Sequence, residues 1–120
     1  MRAITLILAF ALVCLSTSSL AGSWRYQDVE DRMNEPFYQS MLDFGLKELG
    51  QQAFQNNQLG YAQVGILKVN SIATQVVNGL RIRFNIDFFD VEEGVHNADI
   101  VVYRNAGTDA QEFLFYSLYY

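Results

Sequence analysis

Side chains able to do chemistry are few in this sequence and do not gather. His96 is the only histidine and Cys14 the only cysteine, far apart along the chain. A protein zinc site takes three or four Cys, His or carboxylate ligands, and His96 has no second histidine with which to share a metal. As a general base it would need a nucleophile within hydrogen-bond reach. The polar, glycine-containing run from Val91 to Ala98 reads as a connection between strands, so His96 is expected to be an ordinary surface histidine. The carboxylates Asp87, Asp90, Glu92 and Glu93 lack the glycine-centred spacing of a calcium loop and read as a solvated edge. No glycine-rich phosphate loop is present. These residues point to no reaction, no metal and no cofactor, and the chain is not expected to be an enzyme.

One short segment is more informative. Gln75-Val76-Val77-Asn78-Gly79 contains an Asn-Gly pair between two strand-like runs. Asparagine and glycine best tolerate the positive φ angles of a type I′ turn, so this pair predicts a tight hairpin. Before it, Tyr61 to Val77 is rich in β-branched residues, and its alternation slips between Ile66 and Leu67. That slip predicts a bulge or bend within one long strand. After it, Leu80, Ile82, Phe84, Ile86 and Phe88 alternate with Arg81, Arg83, Asn85 and Asp87, the period of a strand with one apolar face.

The remaining elements must position that hairpin. Gly22 to Asn34 has no clear period and reads as an extended arm. At Asn34-Glu35-Pro36 a capping-type residue, an acid and a proline mark a helix start. Tyr38, Met41, Leu42, Gly45, Leu46, Leu49 and Ala53 then recur at three- and four-residue steps, which predicts one amphipathic helix over 35–54. Gln55 to Gly60 is turn-rich; Asp99 to Tyr103 and Glu112 to Tyr119 are two further strands around a loop at Asn105-Ala106-Gly107-Thr108. The order of arm, helix, hairpin and hairpin predicts an α+β fold: one long N-terminal helix packed across a four- to five-stranded antiparallel sheet. Phe84 and Phe88 would bury against Met41, Leu42, Leu46 and Leu49, and the face bearing Arg81, Arg83 and Asp87 would stay wet.

The 120 residues suffice for one small domain. Arg2, the apolar run Ile4 to Leu15 and the small residues of Ser19-Leu20-Ala21 form the three-part pattern of a secretory signal. Ser16 to Ser19 break the run short of the roughly 20 residues a membrane span needs. The expected division is a signal over 1–21 and a single domain over 22–120, secreted to the extracellular space. Cys14 falls within the signal, so the domain would hold by its core alone; 51% of the residues are apolar. The formal charge of −5, with no lysine-arginine cluster, argues against nucleic acid or an anionic membrane as partner.

The segment Gln75 to Gly79 matches the Gln-x-Val-x-Gly signature of the cystatins, tight inhibitors of papain-like cysteine proteases. The resemblance covers nearly all of the expected domain. It includes a glycine near the start, one long helix, a long strand into the signature, and the Val101-Val102-Tyr103 strand leading to a final hairpin. In lacking disulfides the chain resembles the stefins, although it carries a secretion signal. The resemblance implies a wedge that enters the cleft of a papain-like, cathepsin-type protease. Its parts would be the arm at Gly22, the hairpin Gln75, Val76, Val77, Asn78 and Gly79, and the last loop with Asn105, Ala106 and Gly107. Two departures stand out. Ala106-Gly107 occupies the place of the family's Pro-Trp pair, and Gly22 would itself be the first residue of the domain. Trp24 is the residue able to compensate, unless it packs against the end of the sheet. The alternative expectation is a cystatin-fold binding or effector protein, such as a venom or secretion component, with weak or no inhibition. The asparagine used by some secreted cystatins against legumain-type proteases has a positional counterpart in Asn56 or Asn57, in an unmatched context. A monomer is expected, with the long strand and its hairpin a unit that a swapped dimer could exchange.

Overall fold

The computed structural model describes residues 23–91 and 94–119. The expected signal over 1–21 and Gly22 lie outside the described residues, as do Glu92 and Glu93. A short strand β1 (Arg25–Gln27) leads into a short helix α1 (Val29–Met33) and the long helix α2 (Pro36–Gln55). Four strands follow: β2 (Val64–Val76), β3 (Gly79–Asp90), β4 (Gly94–Asn105) and β5 (Gln111–Tyr119). They form one five-stranded sheet in chain order, with every neighbouring pair antiparallel. The architecture is α+β, a helix packed on one face of an antiparallel sheet. Among the described residues, no helix is long and apolar enough to cross a membrane.

The apolar stripe of α2 is buried as its spacing requires: Tyr38, Met41, Leu42, Gly45, Leu49, Gly50 and Ala53 are all buried. Gly45 lies close against the sheet; a Cβ there would stand 2.8 Å from Ile100 Cδ1. Opposite the helix, Ile82, Phe84, Ile86 and Phe88 of β3 are all fully buried. Each such side chain contributes about 1.5–3 kcal/mol through burial.

The ends of α2 show how local signals were divided. Pro36 holds the first helical turn and Glu35 is the N-cap residue, but no side chain caps the helix. Glu35 is engaged elsewhere, accepting from Arg32 Nη1 at 2.8 Å, while Asn34 closes α1 instead of opening α2. At the far end Asn57 adopts φ 59°. Its N–H donates to Phe54 O at 3.1 Å, and that of Gln58 donates to Ala53 O at 2.8 Å. This paired arrangement satisfies the orphan carbonyls of a helix end.

The arm is not extended throughout. Arg25, Tyr26 and Gln27 pair with Thr74, Ala73 and Ile72, and Asp28 caps α1 by accepting from Asp31 N at 2.9 Å. Arg32 ties the segment down, donating to Gln27 Oε1 from Nε (3.1 Å) and Nη2 (2.8 Å). Gln27 in turn donates to Thr74 Oγ1 at 3.0 Å.

Strand β2 is interrupted at Leu67, where the alternation slips, and a second time at Asn70. A larger difference concerns Val91 to Ala98. Strand β4 already begins at Gly94, and His96 pairs with Phe88 in the ladder. The histidine is half-buried, its ring stacked on that of Phe88 at 5.3 Å, and its Nε2 is buried without a hydrogen-bond partner. The start of the strand was hidden by its polar outward residue Asn97, a type depleted in strands, as is Asp99 beyond it. Their side chains are satisfied across the sheet instead. Asn97 Nδ2 donates to Asp87 Oδ1 at 2.8 Å, Asn85 Nδ2 to Asp99 Oδ1 at 2.8 Å, and Tyr119 Oη to Asp99 Oδ2 at 2.5 Å. Arg81, Arg83 and Asp87 are half-buried, not fully wet.

Candidate functional site

Pairing register brings the expected site residues to one end of the sheet. The β2–β3 ladder ends at Val76 and Leu80, and the β3–β4 ladder starts at Gly79 and Asn105. The loop at 77–79 therefore stands beside the loop at 106–110. Because Arg25 pairs with Thr74, the chain traced back from Arg25 heads towards the same end. Gly22 itself lies outside the described residues.

The first loop differs from a two-residue type I′ turn. Asn78 has φ 47° and Gly79 φ 143°, and Val77 joins them between the last paired residues. The Val77 N–H donates to Gly79 O at 3.2 Å. The loop is also held from outside: Tyr103 Oη donates to Asn78 O at 2.5 Å, with Val77 O at 3.3 Å. A Cβ on Gly79 would run into Arg104 O and approach Tyr103 Oη at 2.7 Å. Glycine is required twice here, by the backbone angle and by the ring above it.

Within this loop the side chains divide. Val76 is 68% exposed, whereas Val77 is half-buried. Gln75 is buried on the outer sheet face and accepts from Arg81 Nη1 at 3.3 Å. Gln75 thus braces the loop while Val76 is displayed.

The last loop is held by its own residues. Asn105 Oδ1 accepts from Gly107 N at 2.8 Å and Thr108 N at 3.2 Å, a side-chain-to-backbone turn typical of asparagine. Arg104 Nη2 pairs with Asp109 Oδ1 at 3.3 Å. Ala106 and Gly107 are exposed.

Between the loops and the start of α2 runs a shallow groove of about 400 Å³ with an almost wholly apolar lining. Phe37, Val76, Leu80 and Ala106 supply its apolar surface, and Arg104 lies over the Phe37 ring at 4.9 Å. Sequence reasoning missed Tyr103, Phe37 and Arg104. The strand pattern had located Tyr103, but its reach to a loop 25 residues away has no signal in periodicity.

Trp24 does not line this groove. It lies on the outer sheet face, with the Arg83 guanidinium 4.8 Å from its ring centre. Asn56 and Asn57 are structurally engaged: Asn57 holds the positive-φ position after α2, and Asn56 Nδ2 donates to Tyr116 Oη at 2.7 Å.

Among the described residues four titrating groups are clearly shifted. Burial pushes the Tyr38 hydroxyl up, and the hydrogen bond to Glu35 raises Arg32. The other two, Asp87 and Tyr119, sit away from the loops. Hydrogen bonds from Asn97 and then Asn70 hold the Asp87 carboxyl below its ordinary range. The hydrogen bond to Asp99 pushes the Tyr119 hydroxyl up. Among the described residues, no three His, Cys, Asp or Glu side chains gather as metal ligands would. Neither protein-family models nor curated proteins give a match to this chain.

Proposed function

We propose that this chain is a secreted, cystatin-like reversible inhibitor of papain-like, cathepsin-type cysteine proteases. It blocks the active-site cleft without itself being an enzyme. The reading rests on one observation: the Gln75 to Gly79 loop and the Asn105 to Gly107 loop stand side by side at one end of the sheet. Val76 is displayed between them. A loop braced by Tyr103 and Gln75 loses little conformational entropy on binding, which favours tight association from a small surface. Exposed Val76, flanked by an apolar groove, suits a partner that offers apolar walls. The signature at Gln75 to Gly79 and the helix-on-sheet architecture support a cystatin-like fold. The leader over 1–21 supports an extracellular location, with the chain acting as a monomer.

A second reading, a cystatin-fold binding or effector protein that does not block proteases, is favoured by the place of Trp24. Trp24 is committed to Arg83 on the outer face, so Ala106 and Gly107 face a partner without a large aromatic anchor.

Titration of the purified protein against papain and a cathepsin L-type enzyme separates the two. The inhibitor reading expects stoichiometric loss of protease activity, weakened at least about tenfold by Val76→Asp, since a charge would be buried against an apolar wall. Absence of inhibition by folded protein at micromolar concentration favours the second reading. Gly79 is unsuited as the probe, because any side chain there disturbs the loop itself.

A further inference from the structure

The loop contains a group with reactivity of its own. We infer that Asn78-Gly79 is a self-modification site, at which Asn78 deamidates by intramolecular cyclisation with the Tyr103 hydroxyl assisting. In this step the Gly79 amide nitrogen gives up its proton to solvent and attacks the side-chain Cγ of Asn78. The tetrahedral intermediate expels the side-chain nitrogen as ammonia, which leaves a five-membered succinimide. Water then opens either of the two ring C–N bonds, giving an aspartyl or an isoaspartyl residue at position 78. The net change is amide plus water to carboxylate plus ammonium, with no oxidant or reductant.

Three observations single out this asparagine. Asn78 is exposed at a loop tip, and the following residue is a glycine, whose Cα carries no side chain to hinder attack by its nitrogen. The third is particular to this fold. Deprotonating the Gly79 nitrogen delocalises negative charge onto Asn78 O, the atom to which Tyr103 Oη already donates at 2.5 Å. A fixed donor aimed at developing charge favours the step that creates it. The side chains of Asn56, Asn70, Asn85, Asn97 and Asn105 are instead committed to hydrogen bonds, which hold them away from the next nitrogen.

The consequence for protease binding rests on the proposed function. An isoaspartyl residue adds a methylene to the main chain where Arg104 O and the Tyr103 ring leave no room beside Gly79. Either product adds a negative charge beside the apolar groove. The inhibitor would therefore lose its activity with time, at a rate set by its own loop.

The test incubates the purified protein at neutral and mildly alkaline pH and reads the tryptic peptide Val69–Arg81 by fragment-ion mass spectrometry. Conversion at Asn78, a gain of about 1 Da, is expected at least about tenfold faster than at Asn70 in the same peptide, whose Ser71 neighbour bears a Cβ. Conversion no faster than at Asn70 overturns the site. Tyr103→Phe, checked for native folding, is expected to slow conversion about tenfold, the worth of one hydrogen bond to a charged atom. Equal or faster conversion overturns the role of Tyr103, because a hydroxyl that merely braced the loop would speed the reaction when removed. Inhibition of papain is assayed on fresh protein first, so its absence there counts against the proposed function and leaves the modification chemistry standing. Inhibition that survives full conversion overturns the functional consequence. Asn78→Gly, whatever its starting potency, is expected to show no decline over the same incubation.

Discussion

The two loops at one end of the sheet are neighbours in space but are built by different means. The loop at 77–79 depends on strand β4: Tyr103 grips its carbonyls, and the Tyr103 ring and Arg104 O fill the space beside Gly79. The loop at 106–110 is shaped by Asn105, whose side chain gathers the next N–H groups. The first is thus a tertiary construction and the second a local one. The difference teaches which contacts each loop can lose and still keep its shape.

Replacing glycines should expose the contrast most strongly. Gly79→Ala meets both a positive φ and occupied space, and a loss of roughly 2–4 kcal/mol is expected from strain and overpacking together. Gly107→Ala places its Cβ no nearer than 3.4 Å to Asn105 Oδ1, so its change should stay within about 0.5 kcal/mol. Urea unfolding of the two variants measures the gap; equal losses would erase the distinction between the loops.

Removing the polar braces should separate the loops next. Tyr103→Phe and Asn105→Ala are each expected to cost about 1 kcal/mol. The effects should fall in different places. Amide exchange should quicken at 77–79 in the first variant and at 107–109 in the second. Cross-talk, with either variant loosening both loops, would show that they form one cooperative unit.

The ion pair between Arg104 and Asp109 is a weaker local brace, with the Asp109 side chain 76% exposed. Asp109→Asn keeps a residue that tolerates the φ of 57°, and its cost should be below about 0.5 kcal/mol and vanish at high salt.

Acid supplies the smallest and least loop-specific effect. Asp87 has a folded pKa below its ordinary 3.8. Its contribution is fully present above that value and is lost as pH falls through the lower folded pKa. Tyr119 has a folded pKa above 10.0; its contribution is present below pH 10 and lost as pH rises through the folded value. Acid unfolding of Asp87→Asn should be flatter below pH 3.8, with the 77–79 and 106–110 amides affected alike. A steeper response confined to one loop would assign a titrating group to that loop.

Much of the frame was legible from local pattern. The three- and four-residue recurrence from Tyr38 to Ala53 marked the buried stripe of α2, and strict alternation from Leu80 to Phe88 marked the core strand. The slip at Ile66-Leu67 marked a real irregularity in β2. Other segments misled for physical reasons. Asn97 disguised the start of β4, because the cost of an asparagine in a strand is offset only by its partners on β3. Arg25 to Gln27 looked like loose chain because a short edge strand has no periodicity of its own and exists only by pairing with β2.

The sequence by itself determined where the chain bends and which side of each long element is apolar, because φ/ψ preference and side-chain period are properties of a few consecutive residues. It placed an Asn-Gly loop at 78–79, and a second loop around 105–108. Tertiary structure alone decided that the two loops share one end, that Val76 is displayed while Gln75 is buried, that Trp24 lies on Arg83, and that Tyr103 holds Asn78. Those facts depend on register between strands, where a slip of one residue turns every side chain to the opposite face.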